Sequence, residues 1–524
     1  MNIYFILLAQ SLGEMFTWGE LLLAATPVFL LILFLGILKM AGEKSALLTL
    51  IVTLIIALFA FHLPVKDTGI SVLYGIVKAI FPILIIILMA IFSYNVQVYT
   101  TKMEIIKEQF SSISTDKCIQ VLLLTWGFGG LLEGMAGFGT AVAIPAAILI
   151  SLGFKPVFSA VVSLISNSVA TGFGAVGTPV IVLAREVGLS ENIQSISSDL
   201  VIQLSVLMFL IPFIIVTLTD RSLKALPKNI ILSILVGSIS LAVQYYSALY
   251  IGAETPAILG SIASIITIVL FGKIISRKSK DSEASNQKSF SLTDVLQAWS
   301  VYGLILFLVI LTSPLLPIKD LLKSNFDFFQ TNFNFKILDT EKTVGIFWLT
   351  DTGILIFLGS IIGGLIQGAQ LKELFKLLGK TTIQLRKTVI TVSCLIALST
   401  LMDVSGMIGV LGIALATTTG TLYPLFAPLI GCIGTFLTGS DTSSNILFGK
   451  LQATVADRIG ADKGWLAAAN TAGATGGKII SPQSIAVATT ACGQQGQEGI
   501  IMKKAIIYAL IYIVVAGIIV YLGK

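Results

Sequence analysis

The stretch 167–179, NSVATGFGAVGTP, interrupts an apolar segment with an asparagine, a run of small residues and a proline 12 positions after the asparagine; 470–482, NTAGATGGKIISP, repeats this at the same spacing. Each proline follows a hydroxyl residue, Thr178 or Ser481. Upstream of each asparagine lies a second polar break: Glu133-Gly134, 34 residues before Asn167-Ser168, and Thr438-Gly439, 32 residues before Asn470-Thr471. Glycine, serine, threonine and asparagine at bilayer depth leave backbone groups without helical partners, which is tolerated only where they are buried in protein or line a cavity. Two such breaks in each half is the pattern of a secondary transporter. The chain reads as carrying a duplicated, membrane-embedded polar site.

Composition agrees. Of 524 residues 56% are hydrophobic and 11% charged, with a mean hydropathy of +0.97; a soluble globular chain carries roughly 25% charged residues. The net charge of +6 sits mostly in short loops, which speaks for membrane orientation and against nucleic acid as a partner, since that needs a clustered basic face. Cys118, Cys394, Cys432 and Cys492 are scattered, with no CxxC or Cys/His spacing, so neither a metal site nor a disulfide framework is implied. No cofactor is expected. The opening residues MNIYFILLAQSLGEMF lack a basic n-region and read as part of the mature protein.

A hydrocarbon core of about 30 Å takes roughly 20 helical residues. Windows of that kind lie at 21–38, 46–61, 70–98, 200–219, 229–250, 256–275, 295–313, 344–368, 387–416 and 503–522, with the interrupted windows 155–183 and 463–490 also long enough to span. Regions 118–153 and 421–455, each with a polar break near its middle, read as re-entrant helical hairpins. The expected fold is an all-α polytopic membrane protein of about 12 transmembrane helices plus two hairpins. Orientation favours that count. With the basic 276–288 loop (Arg277, Lys278, Lys280, Lys288) fixed in the cytoplasm, Lys39, Lys44, Arg221, Lys224, Lys228, Lys372, Lys376, Lys380, Arg386, Lys387, Lys503 and Lys504 also fall inside, while Glu14, Glu20 and the acidic 184–199 loop fall outside. Making the hairpins full spans would move Lys39, Lys44, Lys503 and Lys504 outside.

The resulting organisation is a first repeat over 1–228 (hairpin 118–153, broken helix 155–183), an inserted helix pair over 229–275, a cytoplasmic loop at 276–294, and a second repeat over 295–524 (hairpin 421–455, broken helix 463–490). The crossing count makes the repeats inverted, so hairpin 118–153 enters from the cytoplasm and hairpin 421–455 from outside, with tips meeting near the midplane. A competing alignment pairs Glu133 with Asp403 (EGMAG, DVSG) but does not reproduce the Asn-to-Pro spacing.

At a helix start, unpaired N–H groups and the dipole make an anion site, and small residues allow close approach. The tips EGMAGFGT and TGSDTSSN, with Asn167-Ser168 and Asn470-Thr471, would supply four half-helix ends around one cavity. The substrate-binding candidates are Gly134, Gly137, Gly139, Thr140, Asn167, Ser168, Thr171, Thr438, Ser440, Thr442, Ser443, Ser444, Asn445, Asn470, Thr471, Lys478 and Ser481. That set suits a small carboxylate, and its hydroxyls suit one that also carries a hydroxyl or keto group. The competing reading is that small residues simply let helices pack closely. An ionisable side chain at the bilayer centre costs about 2.5–3.5 kcal/mol even on lenient scales, which makes Glu133, Asp403 and Asp441 the proton-coupling candidates; the bland alternative is structural pairing with Lys78 or Lys478. His62, the only histidine, lies at a span end and reads as interfacial. The 99–117 and 369–387 stretches read as amphipathic helices on the inner surface.

LLEGMAGFGTAVAIPAAIL at 131–149, LTGSDTSSNILFG at 437–449 and ISPQSIAVA at 480–488 resemble the signature segments of the bacterial L-lactate permease family. The resemblance implies a plasma-membrane symporter that takes up L-lactate, and in some members glycolate or other 2-hydroxy monocarboxylates, with a proton; a homo-oligomer is compatible with it. The hairpin arrangement is also similar to that of the divalent-anion sodium symporters. Two other classes stay open: a sodium-coupled carboxylate symporter holding Na⁺ at Asn167, Ser443, Asn445, Asn470 and the unwound carbonyls, and an uncoupled anion channel. No nucleophile–base pair, HExxH or nucleotide loop is present, so an enzyme is not expected.

Overall fold

The computed structural model describes residues 17–278 and 291–524 other than 39, 112, 113, 115, 138 and 317. Glu14, Lys39, Phe138, Lys280, Lys288 and most of the expected 276–294 loop lie outside the described residues.

Long apolar runs fold as helices because, without water, only a helix satisfies its own backbone groups. Among the described residues, ten helices are long and apolar enough to cross a membrane, or up to twelve if each bent pair is one span. Their outer faces are apolar, with Leu22, Ile55, Ile231, Leu235, Leu510 and Val514 all exposed. The interior is mainly apolar, and the polar residues it holds are paired with backbone: Thr53 and Ser360 are buried and return their hydroxyls to the carbonyls of Thr49 and Ile356. An apolar outer face over an apolar core is what lipid as solvent allows.

The chain opens with Trp18–Leu31, started by a Thr17/Glu20 capping box, then Gly42–Phe59 and the 35-residue Val65–Tyr99. The last is broken at Phe81, whose φ −112 and ψ 112 are extended. A short amphipathic helix, Lys102–Ser111, precedes the first hairpin. One limb of that hairpin spans 117–135 and the other is Thr140–Ser151. The first broken helix follows as Pro156–Thr171 and Gly174–Glu186, bent by 48°. A second bent pair, Ser190–Gln203 and Ser205–Thr219, leads to the long helices Leu226–Tyr250 and Pro256–Lys278. After Leu292–Leu311 come Thr352–Ile366, the surface helix Leu371–Gln384, and Arg386–Val404. Met407–Thr419 leads to the second hairpin, Tyr423–Thr438 and Asp441–Ile459; the second broken helix is Lys463–Lys478 and Pro482–Ala491, and Glu498–Leu522 closes the chain.

The fold is helical as expected, with one short β addition, and two of the expected windows are corrected. Gln330–Ile337 and Thr340–Phe347 form an antiparallel hairpin in register Gln330↔Phe347 to Ile337↔Thr340. Its aromatic face stacks on the broken helix, Phe333 on Phe81 at 5.1 Å and Phe335 edge-on to Tyr74 at 5.4 Å. Consequently the window 344–368 is part strand, and its helix has only 15 residues. The window 387–416 is two helices, because Gly406 adopts φ +85 between them and ends the first helix.

The second hairpin and the second broken helix approach to backbone contact. A Cβ on Gly473 would lie 1.7 Å from the Pro428 carbonyl oxygen, and one on Gly431 would lie 1.9 Å from that of Asn470. Only glycine fits either position, as expected where helices associate through small residues.

Candidate functional site

Both hairpin turns and both helix breaks meet at one cavity of about 950 Å³. Each turn is made by glycine in the left-handed region: Gly137 (φ +64) and Gly139 (φ +86) in the first hairpin, Gly439 (φ +72) in the second. The first broken helix unwinds through Ala175, Val176 and Gly177, all at positive φ. Ala175 and Val176 pay a steric cost there that glycine would not. The second breaks at 479–481, where Ser481 caps the next helix by accepting from the Ser484 N–H at 3.2 Å.

Two buried carboxylates, Glu133 and Asp441, line the cavity, with the part-exposed Glu43 and Glu498 also in its wall. Glu133, 4% exposed, stands against the first break, where a Cβ on Gly174 would lie 2.6 Å from its Oε1. Its Oε2 has no hydrogen-bond partner. Asp441, 3% exposed, begins the inner limb of the second hairpin; Thr435 donates to its Oδ1 at 3.1 Å and its Oδ2 is unpartnered. Among the described residues neither acid has a base within ion-pair distance. Lys478, at the end of Lys463–Lys478, is the base whose field reaches both acids, and its Nζ donates to the Gly439 carbonyl at 2.9 Å.

Of the expected site residues, Glu133, Gly137, Gly139, Thr171, Thr438, Ser440, Asp441, Thr442, Ser443 and Lys478 line the cavity. The others are placed elsewhere. Asn167-Ser168 and Asn470-Thr471 lie inside Pro156–Thr171 and Lys463–Lys478, one to two turns before the breaks, so they are not half-helix ends. Asn470 Nδ2 donates to Asn445 Oδ1 at 2.9 Å, Thr471 Oγ1 donates to the same atom at 3.0 Å, and Asn445 Nδ2 donates to the Pro179 carbonyl at 2.9 Å. That network ties the second hairpin to both broken helices. Ser168 returns its hydroxyl to Ile165 O, Ser444 to Gly431 O, and Thr140 to Gly137 O. Gly134 faces Ile258 of the inserted pair. Ser440 and Ser481 cap their own helices, so two of the four expected free helix ends are already occupied.

Asp403 is not in the cavity. It pairs with Lys450 and with Lys342, the latter at 3.5 Å, in a second pocket of about 210 Å³ that also holds Lys78 and Glu186, 3.0 Å apart. Four elements line both spaces: Val65–Tyr99, Gly174–Glu186, Arg386–Val404 and Asp441–Ile459. On Gly174–Glu186 the cavity ends at Pro179 and the second pocket begins at Arg185, roughly 9 Å along a helix. Buried Val180, Val182, Leu395, Leu398 and Ile446 lie between. The two spaces are thus at opposite ends of a shared wall.

Sequence reasoning missed Thr388, Thr391, Gln483 and Ser484, which line the cavity, and the Glu43–Lys387 pair, 3.6 Å apart, beside it. Polar residues at both ends of the 387–416 window were the available signal.

The profile of the L-lactate permease family matches residues 20–523. The chain belongs to that family. It is 38% identical to an L-lactate permease of Streptococcus iniae, over 86% of this chain and 93% of that one. It is 34% identical to the glycolate permease GlcA of Escherichia coli K12 (95% and 94%) and 32% identical to the L-lactate permease of the same strain (96% and 95%). Among solved structures, the Alcanivorax borkumensis YdaH transporter aligns at a TM-score of 0.48 with 12% identity, over 86% of this chain and 87% of that one. As a member of the L-lactate permease family, the chain is a multi-pass plasma-membrane transporter.

Proposed function

We propose that this permease takes up L-lactate, and glycolate as a close analogue, together with a proton. One observation carries the reading: two buried carboxylates, each with an unpartnered oxygen, share a cavity with Lys478 at the meeting point of two hairpin turns and two helix breaks. A monocarboxylate sits between Lys478 and the N–H groups at the start of Thr140–Ser151, whose first turn has no side-chain cap. Its 2-hydroxyl lies among Thr438, Thr442 and Ser443. An ionised Glu133 or Asp441 beside a bound anion is repulsive; protonating it removes that repulsion, so proton and anion bind together. Glu133 is the first choice for the carrier, because its oxygen lies at the first break and a change in its charge acts directly on the unwound backbone.

Orientation supports the direction of opening. Lys44, Arg386, Lys387, Lys503 and Lys504 cluster beside the cavity residues Glu43, Thr388 and Met502, which by the positive-inside rule is the cytoplasmic end. This conformation is then the inward-open one, with the ion-pair pocket outside. The two halves act as inverted repeats, with the hairpins entering from opposite sides.

The test is uptake of labelled L-lactate into proteoliposomes under an imposed inward pH gradient, with and without sodium. Accumulation that needs the pH gradient and ignores sodium is the expected result. Accumulation that follows sodium transfers coupling to the unwound carbonyls, although Asn445 and Asn470 are engaged with each other. Equilibration without accumulation leaves an uncoupled pathway.

A further inference from the structure

The outer pocket carries more than ion pairs. Its lining holds four bases, Lys78, Arg185, Lys342 and Lys450, against two acids, Glu186 and Asp403. Both acids are engaged: Glu186 with Lys78, and Asp403 with Lys450 and Lys342 together. Among the described residues Arg185 makes no ion pair and no hydrogen bond; Asp351 and Glu254 act on it only at longer range. A guanidinium without a partner in a concave, half-enclosed site is a fork shaped for a carboxylate.

A second, independent observation points the same way. Ser399 lines this pocket, is 2% exposed, and its hydroxyl has no partner. Serines in these helices ordinarily return the hydroxyl to a carbonyl three or four residues back, as Ser360 and Ser71 do. Ser399 does not, and a buried hydroxyl without a partner costs free energy until a ligand supplies one. Arg185 and Ser399 come from helices that also wall the central cavity.

We propose that the outer pocket is a second binding site for a small carboxylate, held by Arg185 and Ser399 within the field of the three lysines, at which substrate is captured before the outer end opens. It rests on the reading of the chain as a carrier of small carboxylates and adds to it a site remote from Lys478. The lysine–acid pairs fix the shape of the pocket, and Arg185, whose opposing charges Asp351 and Glu254 lie beyond ion-pair distance, supplies the attraction.

Equilibrium binding of labelled L-lactate to the purified full-length protein tests this, with Arg185→Gln and Lys478→Gln compared. The expected result is two equivalents per chain in the wild type and one in each variant. A single equivalent that Lys478→Gln removes and Arg185→Gln leaves untouched overturns the outer site and keeps the central one. A single equivalent removed by Arg185→Gln alone keeps the outer site and overturns the central one; no binding at all overturns both. Should Arg185→Gln not fold, Ser399→Ala carries the test, with an expected loss of outer-site affinity of about three-fold or more; unchanged affinity there overturns the site.

Discussion

At the scale of single residues, the two buried acids differ in what surrounds them, and the difference sets their predicted roles. Glu133 faces an unwound backbone, whereas Asp441 is steadied by Thr435 within its own hairpin. Glu133→Gln is expected to bind and exchange L-lactate while losing proton-driven accumulation by at least about ten-fold, a loss of more than about 1.4 kcal/mol of coupling. Counterflow and gradient-driven uptake in the same vesicles check this; unchanged accumulation transfers the proton to Asp441. Lys478→Gln removes a charge-assisted bond to the substrate, worth about 1.5–3 kcal/mol. KM for L-lactate is expected to rise by about ten-fold or more, read from initial uptake rates. These three residues were legible in the sequence because a charge inside an apolar window has few innocent explanations. Asp403 was equally visible as a charge, but its partners Lys450 and Lys342 lie 47 and 61 residues away in the chain, and no local pattern reveals such a pairing.

At the scale of elements, close packing and hydrogen bonding hold the second hairpin against the broken helices. Gly473→Ala places a methyl where the Pro428 carbonyl already sits, and overpacking of this kind costs about 1–3 kcal/mol or more. Gly409, in the first turn of Met407–Thr419 with nothing within 4 Å of its would-be Cβ, is the control: Gly409→Ala is expected to leave stability unchanged or raise it by up to about 1 kcal/mol. Thermal unfolding in detergent distinguishes the two. Asn445→Ala leaves Asn470, Thr471 and the Pro179 carbonyl without their shared partner, at about 1–3 kcal/mol for a buried orphan. It is expected to lower both stability and maximal transport rate, as measured by unfolding and uptake. The Asn-to-Pro repeat marked these elements in the sequence, yet Asn470 proved to be a mid-helix tie and Asn167 lies in the last turn before its break. Spacing locates a break without telling which backbone groups it frees. The β-hairpin was missed for a different reason: QTNFNFKI alternates with period two, but the apolar window starting at 344 drew its last strand into a span.

At the scale of the whole molecule, the unequal sizes of the two spaces define the conformation. All four cysteines are buried, so a single introduced thiol can be read against a quiet background. Thr391→Cys, in the cavity wall, is expected to react with a membrane-impermeant thiol reagent from the cytoplasmic side of inverted vesicles and to be several-fold less reactive in right-side-out ones, with substrate slowing the reaction. Equal labelling from both sides contradicts the orientation assigned from charge.

The two Asn-to-Pro stretches fold into different circumstances. Asn470 has its amide group bonded to Asn445, and Gln452 also donates to its oxygen at 3.2 Å; Asn167, its counterpart by spacing, is buried against Glu133. The second stretch is therefore held from several sides, whereas the first leans on a single acid, the one proposed to change its charge. Equal spacing in the sequence thus places like residues without giving them like bonds, and the less tied of the two stands where a charge is proposed to come and go.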